Sequence, residues 1–161
     1  MRSLLSTIIN WRLDIVLKMY HENSCKLEGC ESIRRYIYGG KGIVTLLSPS
    51  GEHHTYMFKK PLNEDVFPND ILFVYAVHGQ SKLFYIGMIE QGKFRLTRAS
   101  RFLNDTPIVR GVRYIMRMMT EPNLVTPMEL YHEGMCSVCG RPLTNPKSIK
   151  IGVGPKCRGN R

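Results

Sequence analysis

GIVTLLSPSGEHHTYMFK, residues 42–59, decides the fold. Apolar residues run through Ile43-Val44-Thr45-Leu46-Leu47, a β-rich stretch, and Ser48-Pro49-Ser50-Gly51 supplies turn chemistry. His54–Lys59 then reads as the returning partner of a hairpin. Upstream, Gly39-Gly40-Lys41-Gly42 lacks the G-x4-G-K-[ST] order of a phosphate-cradling loop and reads as a flexible entry to the sheet. Downstream, 61–70 is a polar loop with Pro68 and three acids. Strand patterns follow at Ile71–Val77, Leu83–Ile89 and Lys93–Thr97, separated by His78-Gly79-Gln80-Ser81 and Glu90-Gln91-Gly92. Five short antiparallel strands in meander order predict a curved sheet or small open barrel.

Helices are expected on both sides of that sheet in sequence. Asp105-Thr106-Pro107 has a capping residue followed by a first-turn proline, and Val109, Val112, Ile115, Met116 and Met119 then recur at helical spacing. At the N-terminus, Ser3, Thr7, Asn10, Asp14 and Lys18 form a polar stripe, with Leu4, Leu5, Ile8, Ile9, Leu13, Ile15, Val16 and Leu17 around it, so residues 3–20 read as an amphipathic helix. Residues 21–40 read as a connection. Its His21, Cys25 and Cys30 are spaced H-x3-C-x4-C, but no turn glycine follows the first Cys and no second ligand pair lies nearby. Thr126-Pro127 is read as the start of a short helix that delivers Tyr131 and His132 to the tail.

The tail, HEGMCSVCGRPLTNPKSIKIGVGPKCRGNR (132–161), carries the metal chemistry. His132, Cys136, Cys139 and Cys157 are spaced H-x3-C-x2-C-x17-C. Two cysteines separated by two residues point into one turn, Gly140 lets the chain fold back, and Gly152-Val153-Gly154-Pro155 returns the last thiol. One His with three Cys satisfies the four N/S donors of a structural zinc. Cys25, Cys30 or another histidine remain alternatives for the fourth position. The expected whole is an α+β protein, a small curved antiparallel sheet flanked by N-terminal and C-terminal helices. It ends in a zinc-knuckle or treble-clef-like tail, with segments 1–38, 39–125 and 126–161.

The pattern H-E-G-x-C-x-x-C-G-R-x-L-T-x-P-x-S-I-x-x-G-x-G-P-x-C resembles the C-terminal signature of a family of uncharacterised proteins from tailed bacteriophages and some bacteria. TLLSPSG (45–51), FYIGMI (84–89) and FRLTRASR (94–101) are more weakly similar to the same proteins. The resemblance implies a small phage protein with a zinc-finger-like end and brings no known activity.

Charge points to the partner. The 161 residues carry 23 Lys and Arg against 13 Asp and Glu, a net charge of +10, which favours a polyanion. Arg110, Arg113 and Arg117 share one helix edge, Arg98 and Arg101 lie just before it, and no acid falls between 106 and 120. In the tail, Arg141, Lys147, Lys150, Lys156 and Arg158 face only Glu133. Such cations read as a phosphate-tracking surface for DNA or RNA backbone, or else as a solvated face. The alternative function is a phage protein that binds and inhibits a host or anti-phage defence protein. An enzyme is not expected: Glu133 beside His132 departs from the H-x-E spacing of zinc deaminases, and a third Cys closes the shell. Five cysteines without a regular disulfide spacing suit a reducing compartment, and no run approaches the ~18 apolar residues of a membrane span. The expected location is the cytoplasm, that of the host cell if the protein is phage-encoded.

Overall fold

The computed structural model describes residues 23–63, 66–68, 70–79 and 82–159; the helix read over 3–20 lies outside them. Seven strands form one curved antiparallel sheet: β1 (Cys25–Lys26), β2 (Lys41–Leu47), β3 (His53–Lys59), β4 (Leu72–His78), β5 (Lys82–Glu90), β6 (Lys93–Leu96) and β7 (Glu129–His132). The helices are α1 (Cys30–Ile37), α2 (Pro107–Thr120), α3 (Pro146–Ile151) and α4 (Pro155–Arg158). Strands β2 to β6 follow one another as the period-two reading expects, and the full spatial order is β1-β7-β2-β3-β4-β5-β6.

Alternation along the strands sorts the side chains between two faces. Val44, Leu46, Tyr56, Phe58, Leu72, Val74, Ala76 and Ile86 are buried on one face. Onto them pack Val109, Val112, Ile115, Met118 and Met119 of α2, with Ile33, Tyr36 and Ile37 of α1. Each such side chain, fully buried, contributes about 1.5–3 kcal/mol of transfer free energy. Helix α2 lies unusually close to β3 because of Gly111: a Cβ there would stand 2.0 Å from the Tyr56 hydroxyl. That hydroxyl donates to the Ile108 carbonyl at 2.9 Å, so a buried phenol is satisfied by the helix backbone above it.

Two elements differ from the sequence reading. Residues 129–132 form a strand, not the end of a short helix. Strand β2 has an edge that must be paired, and β7 fills it in the register Val44↔His132 to Leu47↔Glu129, with β1 pairing its other side. The backbone demand of the sheet overrides the local Thr126-Pro127 helix-start signal. The stretch 21–40 is also more than a connection, since α1 buries Ile33, Tyr36 and Ile37 at helical spacing. Arg34 of α1 donates to the Met119 carbonyl at 2.7 Å, and the Cys30 thiol donates to the same oxygen at 2.5 Å. A cation on the last turn of α2 suits the negative end of its dipole. Strand β7 itself lies in the sheet between β1 and β2.

Candidate metal centre

Strand β7 delivers the chain to a narrow hairpin. Met135 and Pro142 form an isolated bridge, with Cys136 N–H donating to Arg141 O (2.8 Å) and Leu143 N–H to Gly134 O (2.8 Å). Inside it the Gly140 N–H donates to the Cys136 carbonyl at 2.9 Å, closing the C-x2-C-G turn. Asn145 then caps α3, its side chain accepting from Lys147 N–H (3.0 Å) and Ser148 N–H (3.4 Å), with Pro146 in the first turn. Helix α3 stops at Gly152 in the left-handed region, φ 77°. Pro155 opens α4, and the Gly154 N–H donates to Cys136 Sγ at 3.3 Å. The return loop thus brings Cys157 to the hairpin, and the sulfurs of Cys136, Cys139 and Cys157 all lie within 4.8 Å of one another.

Three thiols this close resist simultaneous ionisation. Burial pushes the Cys136 thiol up, but the N–H groups of Cys139, Gly154 and Val138, with the Cys139 thiol, together pull it down to about 7. Burial, with hydrogen bonds to the Cys139 and Cys136 sulfurs and their charge, lifts Cys157 to about 11. A bound cation would reverse that repulsion, because thiolates are its natural ligands. The donor set therefore fits a thiophilic metal ion.

His132 does not join the three sulfurs. It is fully buried in β7; its Nδ1 accepts from the Gly134 N–H at 3.0 Å, so its Nε2 donates to the Ile149 carbonyl at 2.6 Å. Both nitrogens are occupied, burial holds its pKa below the ordinary value, and its ring stacks on Tyr36 at 5.2 Å and 21°. His132 ties the tail to the sheet rather than standing with the thiols. Of the alternatives, Cys25 pairs across β1 with His132 and Cys30 is held at the α1–α2 contact. Among the described residues no fourth His, Cys, Asp or Glu atom stands with the sulfurs.

The joint between sheet and tail was not legible in the sequence. Tyr36 donates to Met135 O (3.0 Å) and lies within hydrogen-bond distance of Ile43 O (3.3 Å). A Cβ on Gly152 would come within 2.4 Å of its ring. Ser137 is clamped between Lys41 N–H, which donates to its carbonyl at 2.7 Å, and Gly152 O, which accepts from its N–H at 3.0 Å. The spacing of Ile33, Tyr36 and Ile37 was the only available signal.

The expected cations fall into two groups. On α2, Arg117 makes a two-bond ion pair with Glu121 (2.9 and 3.0 Å) just past the acid-free stretch, and Arg110 and Arg113 donate to Asp105 O (2.8 Å) and Asn104 O (3.2 Å). Arg98 and Arg101 are exposed, and Arg101 lies 5.9 Å from the Phe84 ring centre. In the tail, Arg141, Lys147, Lys150 and Lys156 are exposed and make no ion pair among the described residues, while Arg158 is half-buried and donates to Ser148 Oγ (3.3 Å). Glu133, the tail's one acid, accepts from Thr45 Oγ1 at 2.5 Å. Among the described residues no helix is long and apolar enough to cross a membrane. No curated protein and no solved structure matches this chain. Residues 127–161, which span β7, the hairpin and both short helices, are similar to a family of unknown function, DUF6011.

Proposed function

We propose that this is a non-enzymatic, phage-associated protein that binds nucleic-acid backbone through a basic surface, with one structural zinc clamping its tail. The observation that carries the reading is the set of exposed cations Arg141, Lys147, Lys150 and Lys156, without an ion pair among the described residues, on the module that the thiols would clamp. Without a metal, that module has a small core among the described residues: Cys136, Leu143 and Val153 are buried and Val138, Ile149 and Ile151 pack half-buried against them, a cluster of the size that a metal commonly supplements. Zinc fits because three sulfurs favour it over hard cations. Catalysis is disfavoured because Glu133, the one acid beside the hairpin, is committed to Thr45. Its site of action is the cytoplasm of the host cell.

Binding through phosphates falls steeply with salt, because each neutralised phosphate releases condensed counterions. In a fluorescence-anisotropy titration the protein is expected to bind DNA or RNA at low salt with little sequence preference. Reversing Arg141, Lys147 and Lys150 to Glu should remove most of that affinity while leaving the melting temperature almost unchanged. A protein that ignores both nucleic acids at low salt, yet retains one host protein from lysate, would replace this reading with that of a protein-directed inhibitor.

A further inference from the structure

The second face of the sheet carries a feature outside the core cluster of the described residues. Met57, Phe73, Tyr75 and Tyr85 alternate with the buried residues of β3, β4 and β5, are half-buried, and stand outside the core cluster. Met57 pairs with Tyr75, Lys59 with Phe73, and Tyr75 with Tyr85, so these side chains share one face. The rings meet edge to face: Phe73 with Tyr85 at 6.1 Å, Tyr75 with Tyr85 at 5.6 Å, and Phe67 of the preceding loop with Phe73 at 5.5 Å. At its edge lies a cleft of about 260 Å³ whose lining includes Lys59, Lys60, Leu62, Phe67, Phe73 and Tyr75.

The cations here are placed against the interest of the fold. Lys41 and Lys59 sit directly opposite each other on β2 and β3, a like-charge pair that destabilises a sheet. Neither they nor Lys60 make an ion pair among the described residues. Asp70, in the described part of the adjoining loop, is already engaged by the Gln91 N–H at 2.9 Å.

We infer that this face is a stacking platform for single-stranded nucleic acid, with bases on Tyr75 and Phe73 and phosphates on Lys41, Lys59 and Lys60. Rings on an open sheet face offer π-surfaces to any unpaired base, and flanking cations track the backbone. Rings and a methionine would also suit a protein partner, but lysine is depleted from protein interfaces, and three flanking lysines favour a polyanion. A duplex hides its base faces and has no use for the rings. The inference rests on the nucleic-acid reading above and names both its substrate class and a surface on the sheet, which adjoins the tail at Lys41.

The test uses the full chain and labelled oligothymidylate and oligouridylate of about 15 nucleotides, the upper range of such sites, beside a duplex of equal length. Wild type should prefer the single strands. Tyr75→Leu, which keeps apolar bulk, should weaken single-strand binding about tenfold and leave duplex binding unchanged. Replacing Lys59 and Lys60 with Gln should lower the salt slope for single strands by about 0.7 per lysine that holds a phosphate. Irradiation of a 5-iodouracil oligonucleotide should crosslink to Tyr75 or Phe73 in the wild type, a measurement independent of how any variant folds. Single-strand binding indifferent to Tyr75→Leu, or crosslinks that map only to the tail, would overturn the platform while sparing the tail reading. Failure to bind either form at low salt would remove both.

Discussion

The sheet with its two long helices and the tail beyond β7 are held together by opposite means. Nineteen buried apolar side chains form the sheet's cluster, whereas the tail's own cluster has three, Cys136, Leu143 and Val153, with half-buried neighbours such as Ile149 and Ile151 around them. The first region can hold its shape through burial alone; the second needs cross-links, and three convergent thiols supply the means. The difference teaches where function can be placed. A segment held by a metal and a few bonds can spend its surface on cations, because it asks little of its side chains for packing.

The largest effect should come from the sheet. Phe58→Ala is expected to cost about 3–5 kcal/mol, read as a lowered urea midpoint for the whole protein. A loss under about 1 kcal/mol would show that this core is not what holds the fold. Next comes the joint. His132→Ala removes a buried ring and orphans the Gly134 N–H and Ile149 carbonyl, for about 2–4 kcal/mol. Its metal content should stay at the wild-type ratio. Metal lost together with the ring would make His132 a ligand after all.

Cys136→Ser addresses the tail alone. Metal analysis should show the ion gone, and hydrogen exchange should lose protection over 133–159 while β3 to β5 keep theirs; protection lost equally everywhere would erase the distinction between the regions. A smaller effect follows from His132 being held neutral. Its pKa is depressed in the fold by burial, so the unfolded chain binds a proton first as pH falls. Stability is therefore full above the unfolded value of about 6.5 and is lost as pH drops toward the folded one. Denaturation at pH 7 and pH 5.5 should show the loss in wild type and a flatter response in His132→Gln. Smallest of all is Arg117→Gln on the surface of α2. Breaking the exposed pair with Glu121 should leave the urea midpoint indistinguishable from wild type, because solvent screens the pair.

Much of this was open to sequence reasoning where one local rule sufficed. Period-two alternation placed β2 to β6, and Asp105-Thr106-Pro107 placed the start of α2. The C-x2-C-G turn and the stiff return loop placed Cys136, Cys139 and Cys157 in one group. Strand β7 escaped because four residues show too little alternation to outweigh a helix-start signal, and α1 because its eight residues lie in a polar, cysteine-bearing stretch. His132 misled for a chemical reason. A histidine four residues before a Cys pair looks like a ligand, and only its neighbours reveal that both nitrogens are already spent.

By itself, then, the sequence determined which residues could be apolar partners, which could be metal donors and how basic the surface would be, since composition and short-range spacing carry those properties. Tertiary structure alone decided that 129–132 completes the sheet and that Tyr36 and His132 lock the tail to it. It also decided that Lys41, distant in sequence, stands opposite Lys59, whose cleft places it beside Tyr75. These outcomes depend on which backbone groups remain to be paired and on which side chains meet across more than ten residues of chain, and no local pattern encodes either.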